Sequence, residues 1–189
     1  MNIGLFFGSF NPIHNGHLII ANTVLNTFLA DKVWFVVSPQ NPLKEKSELL
    51  APELRFQMVE KAIAGDNRLI GSDIEFNLPL PSYTIDTLNY LESTYPDNQF
   101  YLVLGSDAFK SLAKWKNYEQ LIRKKMIVYL RPGYLISEKT ISGNITLLKS
   151  PLIEISSTEI RHLIKSKKSI RYLTPQPVIE LIEENHFYM

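Results

Sequence analysis

Ile3-Gly4-Leu5-Phe6-Phe7-Gly8-Ser9-Phe10-Asn11-Pro12-Ile13-His14-Asn15-Gly16-His17-Leu18 is the stretch on which the reading of this chain turns. The apolar run 3–7 has the length and continuity of a strand covered on both faces. Gly8 follows at once, and a residue without Cβ lets the backbone approach a ligand closely. If a helix begins at Asn15, His14 and His17 lie about one turn apart at its positive end, where anions are favoured. Either histidine alone reads as a cap or a packing residue. Strand, glycine, paired histidines and helix start together point to a phosphate-binding turn. It is neither the G-x-x-x-x-G-K-[ST] of a P-loop nor the G-x-G-x-x-G of a dinucleotide fold.

Outward from this turn, strand and helix patterns alternate. A helix is expected over 15–29, with Leu18, Ala21, Leu25, Phe28 and Leu29 on one apolar face. Residues 33–37 read as a second buried strand and 38–44 as a proline-marked loop. Pro52 suits the first turn of a helix through Ala64, stopped by Gly65. A strand is expected within 68–76, and Ser82 or Thr84 can cap a helix reaching about Tyr95. Strands at 100–104 and 126–130 would end at Gly105-Ser106-Asp107 and Arg131-Pro132-Gly133. Shorter strands fit 145–148 and 152–155, and helices fit 158–165 and 177–184. The expected fold is α/β: a Rossmann-like, doubly wound parallel sheet in a single domain, 1–189, with a small C-terminal helical portion. Right-handed crossovers put the ligand crevice at the carboxyl ends of the strands. Gly8, the 38–44 loop, Gly105–Asp107 and Arg131–Gly133 should therefore share one rim.

Composition narrows the chemistry. With 189 residues and 45% hydrophobic content the chain can bury a full core. Its 20 basic and 19 acidic residues leave a formal charge of +1, giving no general attraction to nucleic acid or membrane surfaces. The absence of cysteine excludes disulfides, thiolate nucleophiles and thiolate metal sites, and suits a cytoplasmic protein. No signal-peptide pattern opens the chain and no apolar run reaches the ~18 residues of a membrane span. Lys165-Ser166-Lys167-Lys168-Ser169 reads as a solvated surface turn.

A second anion site is written at Ile155-Ser156-Ser157-Thr158-Glu159-Ile160-Arg161. Ser156 and Glu159 form the pattern of a capping box. The same hydroxyls and free amides can receive phosphate oxygens, and Arg161 can add a charge-assisted pair of bonds.

Together these two segments, G-x-F-x-P-x-H-x-G-H and I-S-S-T-x-I-R, resemble the nucleotidyltransferase superfamily related to class I aminoacyl-tRNA synthetases. Between them, Ser82-Tyr83-Thr84-Ile85-Asp86-Thr87-Leu88 is similar to a segment of bacterial nicotinate-mononucleotide adenylyltransferases. Leu104-Gly105-Ser106-Asp107-Ala108-Phe109 with Leu112 and Trp115, the loop Pro39-Gln40-Asn41-Pro42-Leu43-Lys44, Arg131-Pro132-Gly133 and Tyr172-Leu173-Thr174-Pro175 with Val178 resemble the same family. Leu43, where histidine is common, and Lys116, where an aromatic residue often follows the tryptophan, depart from its pattern.

That resemblance implies transfer of adenylyl from ATP to nicotinate mononucleotide, releasing pyrophosphate. It implies His14 and His17 as the catalytic pair, with His17 on the α-phosphate. It gives Gly8, Ser9, Phe10, Gly105, Asp107, Ser156, Ser157, Thr158 and Arg161 to ATP, with Asp107 on the ribose or near the metal. Lys44, Tyr83, Thr84, Trp115 and Arg131 go to the mononucleotide. Mg²⁺ is expected on the ATP phosphates with no dedicated protein cage. A homo-oligomer is left open, and neither nucleic acid nor membrane is an expected partner. Two alternatives stand beside this reading: an adenylyltransferase for nicotinamide mononucleotide, and a catalytically silent nucleotide-binding regulator.

Overall fold

Six parallel strands are laid down in the order β3-β2-β1-β4-β5-β6. The structure, a computed structural model, describes residues 1–40, 49–136 and 143–189. The strands are β1 (Asn2–Gly8), β2 (Lys32–Val37), β3 (Leu69–Ser72), β4 (Gln99–Gly105), β5 (Met126–Tyr129) and β6 (Ile145–Leu148). Helices α1 (Asn15–Asn26), α2 (Pro52–Ile63), α3 (Thr84–Thr94), α4 (Ser106–Lys110), α5 (Tyr118–Leu121), α6 (Ser157–Lys165) and α7 (Gln176–Glu184) connect and cover them.

The period-two geometry of a strand sorts the apolar run into two cores. Val33, Phe35 and Val37 of β2, with Phe6, Val103 and Ile127, face α1, α2 and α7. Val36, Ile3, Leu5, Leu102, Leu104 and Val128 face the opposite side, with Ile85, Leu88 and Leu91 of α3. Both faces are covered, so the strands read as continuous apolar runs. The chain leaves β1 toward β2 and β3 on one side and continues to β4, β5 and β6 on the other. The switch therefore falls between β1 and β4, whose ends at Gly8 and Gly105 open a crevice between diverging connections.

Local differences from the sequence reading have local causes. Helix α1 stops at Asn26, because the chain turns left-handed at Phe28 (φ 57°) to enter β2. Phe28 is thereby 90% exposed, and the buried face is Ile20, Ala21, Val24 and Leu25. Strand β3 is only four residues, since its partner register ends at Val36 opposite Ser72; a 3-10 turn, Ile74–Asn77, follows and buries Glu75. Neither Ser82 nor Thr84 caps α3: Tyr83 holds the cap position without a side-chain bond. Residues 152–155 form no strand and run without sheet pairing to the cap of α6. Beyond Gly105 the chain goes straight into α4. Residues 165–169 are exposed, as a solvated turn requires. Among the described residues no helix is long and apolar enough to cross a membrane.

Candidate active site

At the β1/β4 switch lies a cavity of about 500 Å³. Its lining includes Gly8, Ser9, Phe10, His17, Tyr83, Thr84, Gly105, Asp107, Trp115 and Ser157, ten of the residues the sequence singled out. His14 and Arg131 line an adjoining crevice that His17 shares. Ser156, Thr158 and Arg161 stand behind Ser157 at the start of α6. Lys44 and Leu43 lie outside the described residues.

The histidine turn is tightly specified. His14 occupies the cap position of α1, and its ring stacks on that of His17 with centroids 3.7 Å apart. A Cβ on Gly16 would come within 2.9 Å of His14 Nδ1 and 3.0 Å of Ile153, so only glycine leaves room for this stack. The backbone N–H of His14 donates to His17 Nδ1 at 3.2 Å. A neutral His17 must then carry its proton on Nε2. Phe6 and Phe10 fix the His17 ring edge-on, with centroids 5.7 and 5.0 Å away.

His14 itself is 4% exposed, and its Nδ1 has no hydrogen-bond partner among the described residues. Burial, reinforced by the positive charge of Arg131, pulls its pKa down to about 4. It is a neutral ring at pH 7, not the cation a surface histidine near an anion would be.

Gly8 lines the cavity and also makes room for a neighbouring ring. The Phe10 ring sits where its Cβ would be, 2.8 Å away, with Phe10 in the left-handed region (φ 46°). At Gly105 a Cβ would meet the Asp107 carboxylate and come within 3.0 Å of Arg131 Cδ. Arg131 Nε lies 3.7 Å from Asp107, and the Arg131 N–H donates to the buried Ser106 hydroxyl at 2.9 Å. Arg131, assigned by resemblance to the mononucleotide, thus stands with Asp107 beside the histidines.

The serines of the second motif are engaged within the protein. Ser156 Oγ accepts from the Glu159 N–H at 3.2 Å, and Ser157 Oγ donates to the Pro12 carbonyl at 2.9 Å. Arg161 donates to the Asn11 carbonyl at 3.0 Å. Helix α6 is thereby docked on the histidine turn, placing its N-terminus and the α1 N-terminus side by side.

Elsewhere on the cavity, Trp115 follows a 3-10 turn, Leu112–Lys114, and is half-buried. Lys116 pairs with Asp86 at 2.8 Å and lies 4.6 Å from the centre of the Tyr83 ring. The departure from the family pattern therefore brings a cation to this wall.

Two residues escaped the sequence reading. Arg55 is 0% exposed and donates to the carbonyls of Ser9, Ser38, Pro39 and Leu50 at 2.6–3.1 Å. It pins the loops after β1 and β2 to α2, and burial lowers its pKa to about 10. Glu75 is 1% exposed on the cavity wall and accepts from the Thr87 hydroxyl at 2.7 Å. Burial pushes its carboxyl pKa up, opposed by the hydroxyls of Thr87, Ser38 and Ser82. Each lies in an ordinary amphipathic or turn-like segment, so no spacing marks it out.

A parallel sheet with two helix N-termini, two histidines and an arginine gathered at its switch point defines an enzyme that handles nucleotide phosphates. The chain belongs to the cytidylyltransferase-like family, which matches residues 5–163. It is 50% identical over its full length to a Cytophaga hutchinsonii protein named "probable nicotinate-nucleotide adenylyltransferase", covering 98% of that protein. A Bacteroides thetaiotaomicron protein of the same name is 43% identical, over 97% of this chain and 92% of its own. Among solved structures, "Plasmodium falciparum nicotinic acid mononucleotide adenylyltransferase complexed with NaAD" shares the fold. Its TM-score is 0.86 at 23% identity, covering 99% of this chain and 97% of that one.

Proposed function

We propose that this chain is a nicotinate-nucleotide adenylyltransferase, joining ATP and nicotinate mononucleotide to give deamido-NAD and pyrophosphate. One observation carries the reading: a single cavity is lined both by the histidine and α6 turns and by the Tyr83, Thr84 and Trp115 segment. The phosphate motifs and the mononucleotide motifs, far apart in sequence, meet across one space. The names of the full-length relatives agree with it.

An oxygen of the mononucleotide 5′-phosphate attacks the α-phosphorus of ATP, and the bond to the β-phosphate oxygen breaks. The nucleophile is already ionised at neutral pH, so the protein supplies positioning and preorganised charge rather than a base. His17, through Nε2–H, donates to the α-phosphate as negative charge builds there. His14 and Arg131 face the β- and γ-phosphates, with the N-terminus of α6, Thr158 and Arg161 on the other side. Asp107 would serve the ribose or stand near the metal. Mg²⁺ would be held mainly by the ATP phosphates and water. When bound, it offsets charge on the triphosphate.

Trp115 offers a flat face to the pyridine ring. Main-chain donors at Tyr83 and Thr84 take the nicotinate carboxylate, with Lys116 adding a favourable charge nearby. A pyrophosphate-release assay comparing nicotinate and nicotinamide mononucleotides tests the reading directly. ATP binding without pyrophosphate release from either acceptor would leave a silent nucleotide-binding protein.

A further inference from the structure

Three consecutive carbonyls in the histidine turn are each held by a side chain from the last third of the protein. Arg161 donates to Asn11 at 3.0 Å, Ser157 to Pro12 at 2.9 Å and Thr174 to Ile13 at 2.7 Å. Asn15 is held by the same segment through its backbone. The Asn15 N–H donates to the Leu173 carbonyl at 2.9 Å, and Asn15 Nδ2 to the Tyr172 carbonyl at 2.7 Å. Finally Tyr188, the penultimate residue, donates its hydroxyl to Asn11 Oδ1 at 2.8 Å across 177 residues of sequence.

We propose that Thr174, seconded by Tyr188, is a positioning residue for adenylyl transfer: its hydroxyl fixes the Ile13–His14 peptide and so the orientation of the His17 ring. The chain of contacts is short. Thr174 is 2% exposed and its hydroxyl grips the carbonyl directly before His14. The N–H of His14 in turn donates to His17 Nδ1, the bond that sets which nitrogen of His17 carries the proton. A rotated 13–14 peptide would lose that donor and let the ring tautomerise. Tyr188 acts one step earlier. Asn11 Oδ1 accepts from Tyr188 and from the Leu50 N–H at 3.2 Å, which fixes the residue that begins the turn. Burial holds the Tyr188 phenol well above its ordinary pKa, against the pull of Arg161 and Arg55, so it remains a donor. The C-terminal helical portion thus forms the cradle of a catalytic turn made by the N-terminus.

This inference rests on the catalytic reading of His17, and the experiment separates the two. Thr174→Val keeps the shape and removes the hydroxyl, Thr174→Ser keeps the hydroxyl, and Tyr188→Phe removes the outer tie at the periphery. Thr174→Val should lower kcat at least about tenfold, because small displacements of catalytic groups are costly. KM for nicotinate mononucleotide should stay within about twofold, since that binding is remote from the turn. Thr174→Ser should restore most of kcat, and Tyr188→Phe should lower it about threefold in the same pattern. Ring ¹⁵N NMR should show His17 moving from a single Nε2–H tautomer toward a mixture in Thr174→Val. A kcat within twofold of the parent for Thr174→Val, no rescue by serine, or unchanged His17 ring signals would each overturn the proposal. Should Thr174→Val fail to fold, the serine and Tyr188→Phe variants carry the same test. Full activity in His17→Ala would instead remove the catalytic reading, while shifted His17 ring signals in Thr174→Val would still support the cradle.

Discussion

On the wall formed by residues 8–17, the carbonyls of Asn11, Pro12 and Ile13 are all taken by side chains from the C-terminal segment. On the wall formed by the 3-10 turn, α3 and Trp115, the buried atoms Glu75 Oε2, Ser82 Oγ and Trp115 Nε1 have no aligned hydrogen bond among the described residues. The proposed function gives each wall a different task. Under the proposed function this turn stabilises developing charge and has to be rigid before the substrate arrives, and its three carbonyls are held within the protein. A pocket that identifies a ring and its substituent keeps polar capacity in reserve, because a buried group left unpaired by the wrong ligand is what rejects that ligand. The two walls also carry buried titratable groups shifted in opposite directions: burial lowers the pKa of His14 to about 4 and raises that of Glu75.

The sharpest way to break this comparison is at His17. His17→Ala should lower kcat roughly 10²–10³-fold with a much smaller change in KM for ATP, as removal of one preorganised donor does. A loss under about fivefold in steady-state assays would place His17 outside the transition state, and the internally held carbonyls of this wall would lose their catalytic rationale.

Next comes the acid sensitivity of the same wall. Because the folded-state pKa of His14 lies near 4, below the value of 6.5 for an unperturbed side chain, the unfolded chain binds the extra proton first as pH falls. Stability should be unaffected above pH 6.5 and should fall through the window down to about pH 4, by about 3 kcal/mol in all from this residue. His14→Gln should flatten that limb in urea denaturation series. An unchanged acid limb would mean that His14 titrates normally and the stack is open to solvent.

A smaller effect is expected on the opposite wall. Charge-assisted bonds from main-chain donors to the nicotinate carboxylate are worth about 1.5–3 kcal/mol. Preference for the acid over the amide mononucleotide should therefore exceed about tenfold in kcat/KM. Lys116→Ala should reduce that preference without removing it. Equal rates with both mononucleotides would show that this wall does not read the substituent.

Glu75→Gln should give the slightest change, and one opposite in sign to His14. A raised folded-state pKa stabilises the protein below the ordinary glutamate value, and this contribution is lost as pH rises through the folded value. The glutamine variant keeps an oxygen for Thr87 and should show a shallower decline over that upper window. A decline identical to the parent's would assign it to other groups.

Much of this was legible without coordinates. Period-two alternation is swamped in strands buried on both sides, yet the runs at 3–7, 33–37 and 100–104 were long and apolar enough to identify as strands, and the intervening helices gave the parallel order. The anion motifs were readable because their chemistry is local: a histidine pair one turn apart and a hydroxyl-rich helix start carry meaning in any context. Phe28 misled because an aromatic at helical spacing looks buried until the chain is seen to turn left-handed there. The strand expected at 152–155 failed because pairing depends on a neighbour that an apolar run cannot specify.

By itself, the sequence determined the alternating architecture, the helix starts near His14 and Ser156 and the kinship of the whole chain, since each rests on contacts between near neighbours or on residue chemistry alone. Only the tertiary structure decided that Arg55 clamps four carbonyls, that Glu75 is buried in the cavity wall, that the Phe10 ring packs beside Gly8, and that Thr174 and Tyr188 hold the histidine turn. Those contacts join residues up to 177 positions apart. No local pattern encodes them, because burial and partner choice arise only when distant segments are brought to the same place.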